Sequence, residues 1–117
     1  MVDEAERKDL DSQVYSVLER IHAKSGNIRK GVNEATKAIE RSQAKLVVYA
    51  ADVSPKEIVM HLPLLSKDRG VPCVEVKSRA ELGRAVGIVV PTSAVAVVDA
   101  SEEAHALEEL VSKIKNL

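Results

Sequence analysis

Two short aliphatic runs decide the fold class. LVVYAA (46–51) and AVAVVD (94–99) are continuous and rich in β-branched residues, the pattern of strands buried on both faces. A sheet of such strands must be covered by helices on both sides, and the rest of the chain supplies them. Leu10, Val14, Val17, Leu18 and Ile21 recur at helical spacing and predict an amphipathic helix over about 9–24, ended by Ser25-Gly26-Asn27. After a short extended piece, Ile28-Arg29-Lys30, Gly31 opens a helix to about Ser42 with Val32, Ala35, Ala38 and Ile39 on its inner side. Ser54-Pro55-Lys56-Glu57 combines a capping Ser, Pro at the first helical position and Glu at the third, and predicts a helix start there. Pro63 is expected to kink or divide that helix, which stops near Gly70.

CVEVK (73–77) alternates as a strand. Ser78-Arg79-Ala80-Glu81 is a second capping box, opening a short helix to about Ala85. Ser101 is expected to cap the last helix, with Ala104, Leu107, Leu110, Val111 and Ile114 inward. Glu102 and Glu103 at its start and Lys113 and Lys115 near its end match the helix dipole. The predicted fold is α/β: a three-layer α/β/α sandwich with a four-stranded mixed sheet, one domain over residues 1–117. A length of 117 residues fits that reading.

No apolar run approaches 18 residues, so no membrane partner is expected. The N-terminus is too polar for a secretory signal, and the single Cys73 fits a reducing compartment; a cytoplasmic location follows as an expectation. The chain has no Phe and no Trp, only Tyr15 and Tyr49, which disfavours domains that stack bases on sheet aromatics.

A net charge of −1 conceals a segregated pattern. Residues 1–19 hold two basic and six acidic residues, 20–84 hold thirteen and seven, and 85–117 hold two and five. A basic middle between acidic ends can face a polyanion while the molecule stays neutral, although a solvated mixed-charge surface has the same composition.

Constellations for catalysis and cofactors are missing from the sequence. Gly83-Arg84-Ala85-Val86-Gly87 is not a dinucleotide fingerprint, and no phosphate loop occurs. His22, His61 and His105 lie far apart, with no metal-ligand spacing. His61 reads as a surface or half-buried structural residue, and Cys73 as a core residue without an assignable base. No enzyme activity, cofactor or metal is expected.

Helix 31–42 carries Asn33, Glu34, Lys37 and Arg41 in one outward band. Each type can read base edges: Asn donates and accepts, Glu accepts from amino and imino groups, and Lys donates to guanine O6 and N7. Gly31 lets a backbone approach, and free N–H groups at a helix start favour phosphate. The same band could also be an ordinary solvated face with a Glu34–Lys37 pair. Gly87-Ile88-Val89-Val90-Pro91 is an aliphatic segment that is either buried or an exposed loop able to pack under unstacked nucleotides.

Arg29-Lys30-Gly31-Val32-Asn33-Glu34-Ala35-Thr36-Lys37 resembles the RKGxNExxK signature of the kink-turn RNA-binding proteins, the archaeal ribosomal L-seven-Ae family. His61-Leu62-Pro63-Leu64-Leu65, Val71-Pro72 and Ala80 to Gly87 resemble that family's later blocks, so the likeness runs from about residue 10 to the C-terminus. The resemblance implies a non-catalytic RNA-binding protein of the large ribosomal subunit. It would recognise kink-turns and kink-loops in rRNA, box C/D and H/ACA guide RNAs and RNase P RNA, and scaffold fibrillarin with a Nop-type adaptor or the pseudouridine-synthase assembly. By the same resemblance Asn33, Glu34 and Lys37 would contact guanine edges, and Lys30, Gly31 and Arg41 the phosphates. Ile88, Val89 and Val90 would cover bulged nucleotides, with Ile58 and Arg79 nearby. Two alternatives stay open: a small α/β enzyme or ligand-binding protein, and a ribosomal protein of this fold that meets another RNA feature or mainly protein.

Overall fold

The computed structural model describes residues 4–115, with side chains from Asp9 onward. The chain runs α1 (Glu4–Ala23), β1 (Asn27–Lys30), α2 (Val32–Glu40), β2 (Leu46–Ala50), α3 (Glu57–Asp68), β3 (Cys73–Val76), α4 (Arg79–Ala85), β4 (Ala94–Asp99), a 3-10 turn (Ser101–Glu103) and α5 (Ala104–Lys115). The four strands form one sheet in the order β1-β4-β2-β3. β4 runs antiparallel to β1 and β2, while β2 and β3 are parallel, so the sheet is mixed. α2 and α3 pack together on one face, and α1 with α4 and α5 on the other. This is the α/β/α sandwich that the two aliphatic runs require.

Those runs are the centre of the core. Leu46, Val47, Val48 and Ala50 of β2 and Ala94 to Val97 of β4 are buried. Ala35, Ala38 and Ile39 of α2 close one side, and Val14, Leu18 and Ile21 of α1 with Leu82 of α4 close the other. Each fully buried Leu or Ile contributes about 1.5–3 kcal/mol over leaving it in water.

Strand direction decides where a site can form. β1, β2 and β3 point the same way and β4 points back, so the ends of the first three and the start of β4 share one sheet edge. The segments at 31, 51–56, 77–78 and 86–93 therefore gather there. Loops at the carboxyl ends of strands are the usual position for a site in such a sheet.

Four local expectations need correction. α1 extends back to Glu4. Ser54 does not cap α3, which begins at Glu57 with Lys56 in the capping position and no side-chain cap. Residues 55–59 instead turn tightly, with Ile58 N donating to Pro55 O (3.2 Å) and Val59 N to Lys56 O (3.1 Å). Pro63 lies inside an unbroken α3 rather than dividing it. Ser101 adopts a left-handed φ of 54° and opens a 3-10 turn, its amide donating to Asp99 Oδ1 (3.0 Å). The Asp side chain wins the local hydrogen bond, α5 starts only at Ala104, and Ala104 is exposed. The Ser78 cap forms as expected, its hydroxyl accepting from Glu81 N at 3.2 Å.

Candidate nucleic-acid interface

The interface begins where β1 ends. Gly31 sits at φ 99°, a conformation that favours glycine, and a Cβ there would meet nothing within 4 Å. Its requirement is thus conformational and not steric. Its amide donates to the Ala94 carbonyl (2.8 Å) and its carbonyl accepts from Ala35 N (2.9 Å), which starts α2. No side chain caps α2, so its first turn presents backbone N–H groups outward.

On α2 the buried residues are Ala35, Ala38 and Ile39, which turns Asn33, Glu34 and Lys37 to solvent. Lys37 Nζ and Glu34 Oε1 form a half-exposed pair at 3.4 Å. Such a pair contributes a few tenths of a kcal/mol, about 0.3–0.5, to the helix. Both groups are therefore easily redirected to a ligand. Arg41 is exposed just past the helix end.

Lys30, Gly31, Asn33, Glu34 and Ile58 line one open groove between α2 and α3, together with Val32, Glu57 and His61. Ile58, on the first turn of α3, is 44% exposed despite its size. His61 Nε2 lies 2.9 Å from Thr36 Oγ1 of α2 and so links the two helices beside the groove. Lys37 and Arg41 lie farther along α2, beyond this groove.

A second group of predicted residues belongs to α4 and the segment after it. Arg79, exposed, opens α4 and its amide donates to Asp52 Oδ1 of the β2–α3 loop (2.9 Å). The segment 87–92 is tied down at both ends: Ile88 N donates to Gly83 O (3.0 Å) and Thr92 N to Arg79 O (3.1 Å). Thr92 Oγ1 then donates to Ala94 O (3.2 Å), the same carbonyl that receives Gly31 N. The backbone carbonyl of Val90 presses on Gly83, where a Cβ would overlap it. Gly87, at φ 81°, is covered by the His22 ring. Of the three aliphatic residues, Ile88 turns in against the core while Val89 and Val90 stand exposed.

Most of the predicted residues thus fall into two clusters at one end of the sheet, linked through Ala94, whereas Lys37 and Arg41 lie along α2 away from it. Glu57, His61, Thr36 and Asp52 were missed by sequence reasoning. His61 lies three residues after Ile58 on α3, a spacing that places both on one helix side; Asp52 carries no comparable signal.

The charge map also sharpens. Arg20 and Lys24, counted in the basic middle, are neutralised by Glu103 (2.9 Å) and Glu102 (3.6 Å) of the 3-10 turn. Their positive charge is taken up on the α1–α5 side, away from the groove. Cys73 is half-buried and its thiol is pushed up to about 11 by burial, which makes it a poor nucleophile. Among the described residues, no group of three or more His, Cys, Asp or Glu could hold a metal ion, and no helix is long and apolar enough to cross a membrane.

An α/β/α sandwich with exposed polar side chains along α2 and an apolar loop before β4 defines a scaffold with a candidate edge site. The chain belongs to the ribosomal protein L7Ae/L30e/S12e/Gadd45 family, whose model matches residues 12–107. It is 44% identical over 110 residues to the large ribosomal subunit protein eL8 of Nitrosopumilus maritimus (strain SCM1), covering 94% of this chain and 85% of that protein. Among solved structures it resembles the Giardia lamblia 15.5kD RNA binding protein, with a TM-score of 0.88 and 34% identity, covering 99% of this chain and 92% of that one.

Proposed function

We propose that this protein is a non-catalytic RNA-binding protein that grips kink-turns and kink-loops through the edge where β1, β2 and β3 end. One observation carries the reading: the uncapped start of α2, ahead of exposed Asn33, Glu34 and Lys37, and the loop that exposes Val89 and Val90 are anchored on one carbonyl, that of Ala94, through Gly31 N and Thr92 Oγ1. The relatives, one named as a ribosomal protein and one as an RNA binding protein, support it.

The division of labour follows from chemistry. Asn33, Glu34 and Lys37 present the mixed donors and acceptors that guanine edges at a kink require. Lys30, Gly31 and Arg41 take phosphates, whose crowding at a bend makes cationic contacts most valuable there. Val89 and Val90, with Ile58 and the stem of Arg79, cover bases displaced from the stack. Ile88 acts from beneath, fixing the loop against the core. Because the loop is tied at both ends, little ordering entropy is lost on binding.

On this reading the single domain spanning residues 1–117 works in the cytoplasm. Its RNAs would be large-subunit rRNA, box C/D and H/ACA guide RNAs and RNase P RNA. Held in those bends, it would scaffold fibrillarin and a Nop-type adaptor through the RNP. A gel shift with a minimal kink-turn tests the core claim: binding is expected with the sheared G·A pairs intact and lost when they are replaced. Equal binding to both RNAs would overturn it.

A further inference from the structure

The α3 wall of the groove contains a histidine whose protonation pattern is dictated by its neighbour. Thr36 Oγ1 lies 2.8 Å from the Val32 carbonyl and 2.9 Å from His61 Nε2. A hydroxyl has one proton, and Val32 O, which can only accept, takes it. Both bonds coexist only if His61 Nε2 carries a hydrogen and donates it to Thr36. In the neutral ring, Nδ1 is then left as a lone-pair acceptor on an exposed side chain that lines the groove. Glu34 and Glu57 line the same groove, against one cation, Lys30. Carboxylates and an imidazole lone pair are acceptors that attract N–H and O–H donors on the α3 side, while Lys30 and the Gly31 end of the groove still face phosphate.

We infer that His61 is a further RNA-contacting residue, its Nδ1 accepting a hydrogen bond from a donor of the bound RNA, with Thr36 as the residue that positions it. The inference rests on the RNA-binding function proposed for this edge and deepens it. The donor is a base amino or imino group, or a ribose 2′-hydroxyl, which share this chemistry.

The test measures affinity for the minimal kink-turn RNA with wild type, His61→Ala and Thr36→Val, each checked by thermal melt. One charge-neutral hydrogen bond predicts a loss of about tenfold for His61→Ala, with a smaller loss for Thr36→Val, which keeps the ring and frees it. Inosine for guanine, or single 2′-deoxy substitutions in the RNA, should each be tried on wild type and on His61→Ala. At one position the substitution should weaken wild type and leave the His61→Ala complex unaffected, the non-additivity of two groups in contact, and the chemistry of that substitution identifies the donor. Nitrogen NMR of the free protein should show the Nε2–H form of His61, lost in Thr36→Val. His61→Ala binding within twofold of wild type, or an Nδ1–H ring, would overturn this inference alone. Wild type that ignores kink-turn RNA would overturn the functional reading as well.

Discussion

The amide of Gly31 donates to the carbonyl of Ala94 across 2.8 Å, and this one bond ties the start of α2 to the start of β4. Thr92 Oγ1 reaches the same oxygen at 3.2 Å, so the end of the apolar loop joins them there. The polar and apolar clusters of the candidate interface are therefore fixed relative to one another at Ala94, one through a backbone amide and the other through the Thr92 hydroxyl.

Gly31→Ala is expected to destabilise the protein by about 1–2 kcal/mol, because an L side chain at φ 99° is strained even in open space. The cost should appear as a lower urea midpoint with an unchanged slope. A variant as stable as wild type would show that the backbone relaxes away from this φ.

Glu34→Ala and Lys37→Ala should each weaken kink-turn binding by about 1–3 kcal/mol, the range for a base-edge contact. Their mutual ion pair is half-exposed, so folding stability should move by only about 0.5 kcal/mol or less. Titration of labelled RNA beside thermal melts separates the two effects. Wild-type affinity in both variants would remove these residues from the interface.

Gly83→Ala inverts the usual helix rule. Ala normally favours a helix interior by about 1 kcal/mol over Gly, yet here the new Cβ would overlap the Val90 backbone carbonyl. Overpacking of this kind costs about 1–3 kcal/mol, and the loop must shift. By contrast Val89→Ser, at a fully exposed position, should leave the melt unchanged while altering discrimination between kink-turn and kink-loop RNAs. Unaltered discrimination would count against placing the loop on RNA.

Alkaline pH should destabilise the fold. Burial raises the Cys73 thiol from 9.0 to about 11 and the Tyr15 phenol from 10.0 to about 12. Raised folded-state values mean that the neutral forms are favoured in the native protein. Their contribution is therefore complete below the unfolded values and lost as pH rises from about 9 to about 12. Urea midpoints at pH 8 and pH 10.5 should show the fall, and Cys73→Ala should flatten its lower part. At pH 8 a disulfide reagent should modify native Cys73 far more slowly than the urea-unfolded chain.

Much of the architecture was legible because it depends on pattern. Short continuous runs rich in β-branched residues are typical of two-sided strands, and Ala35, Ala38 and Ile39 fix which side of α2 is inward. The Ser78 cap was legible because a capping box is local, whereas the Ser54 and Ser101 assignments failed where another local bond was stronger: the tight turn after Pro55, and the Asp99 side chain on Ser101 N. The α2 half of the site could be read as a stripe on one helix. The α3 half could not, since His61 acquires its role only through Thr36, twenty-five positions away in sequence. Likewise, only the fold reveals that Ile88 turns inward while Val89 and Val90 do not.

A bent nucleic acid behaves as a loaded spring, and whatever holds it must absorb the recoil. At this edge the recoil would pass through Gly31 and Ala94 directly into β4, a strand hydrogen-bonded on both sides and buried over Ala94 to Val97. The stiffness of the clamp would then be that of the sheet, and softening the core should loosen the angle of the bend before it loosens the grip.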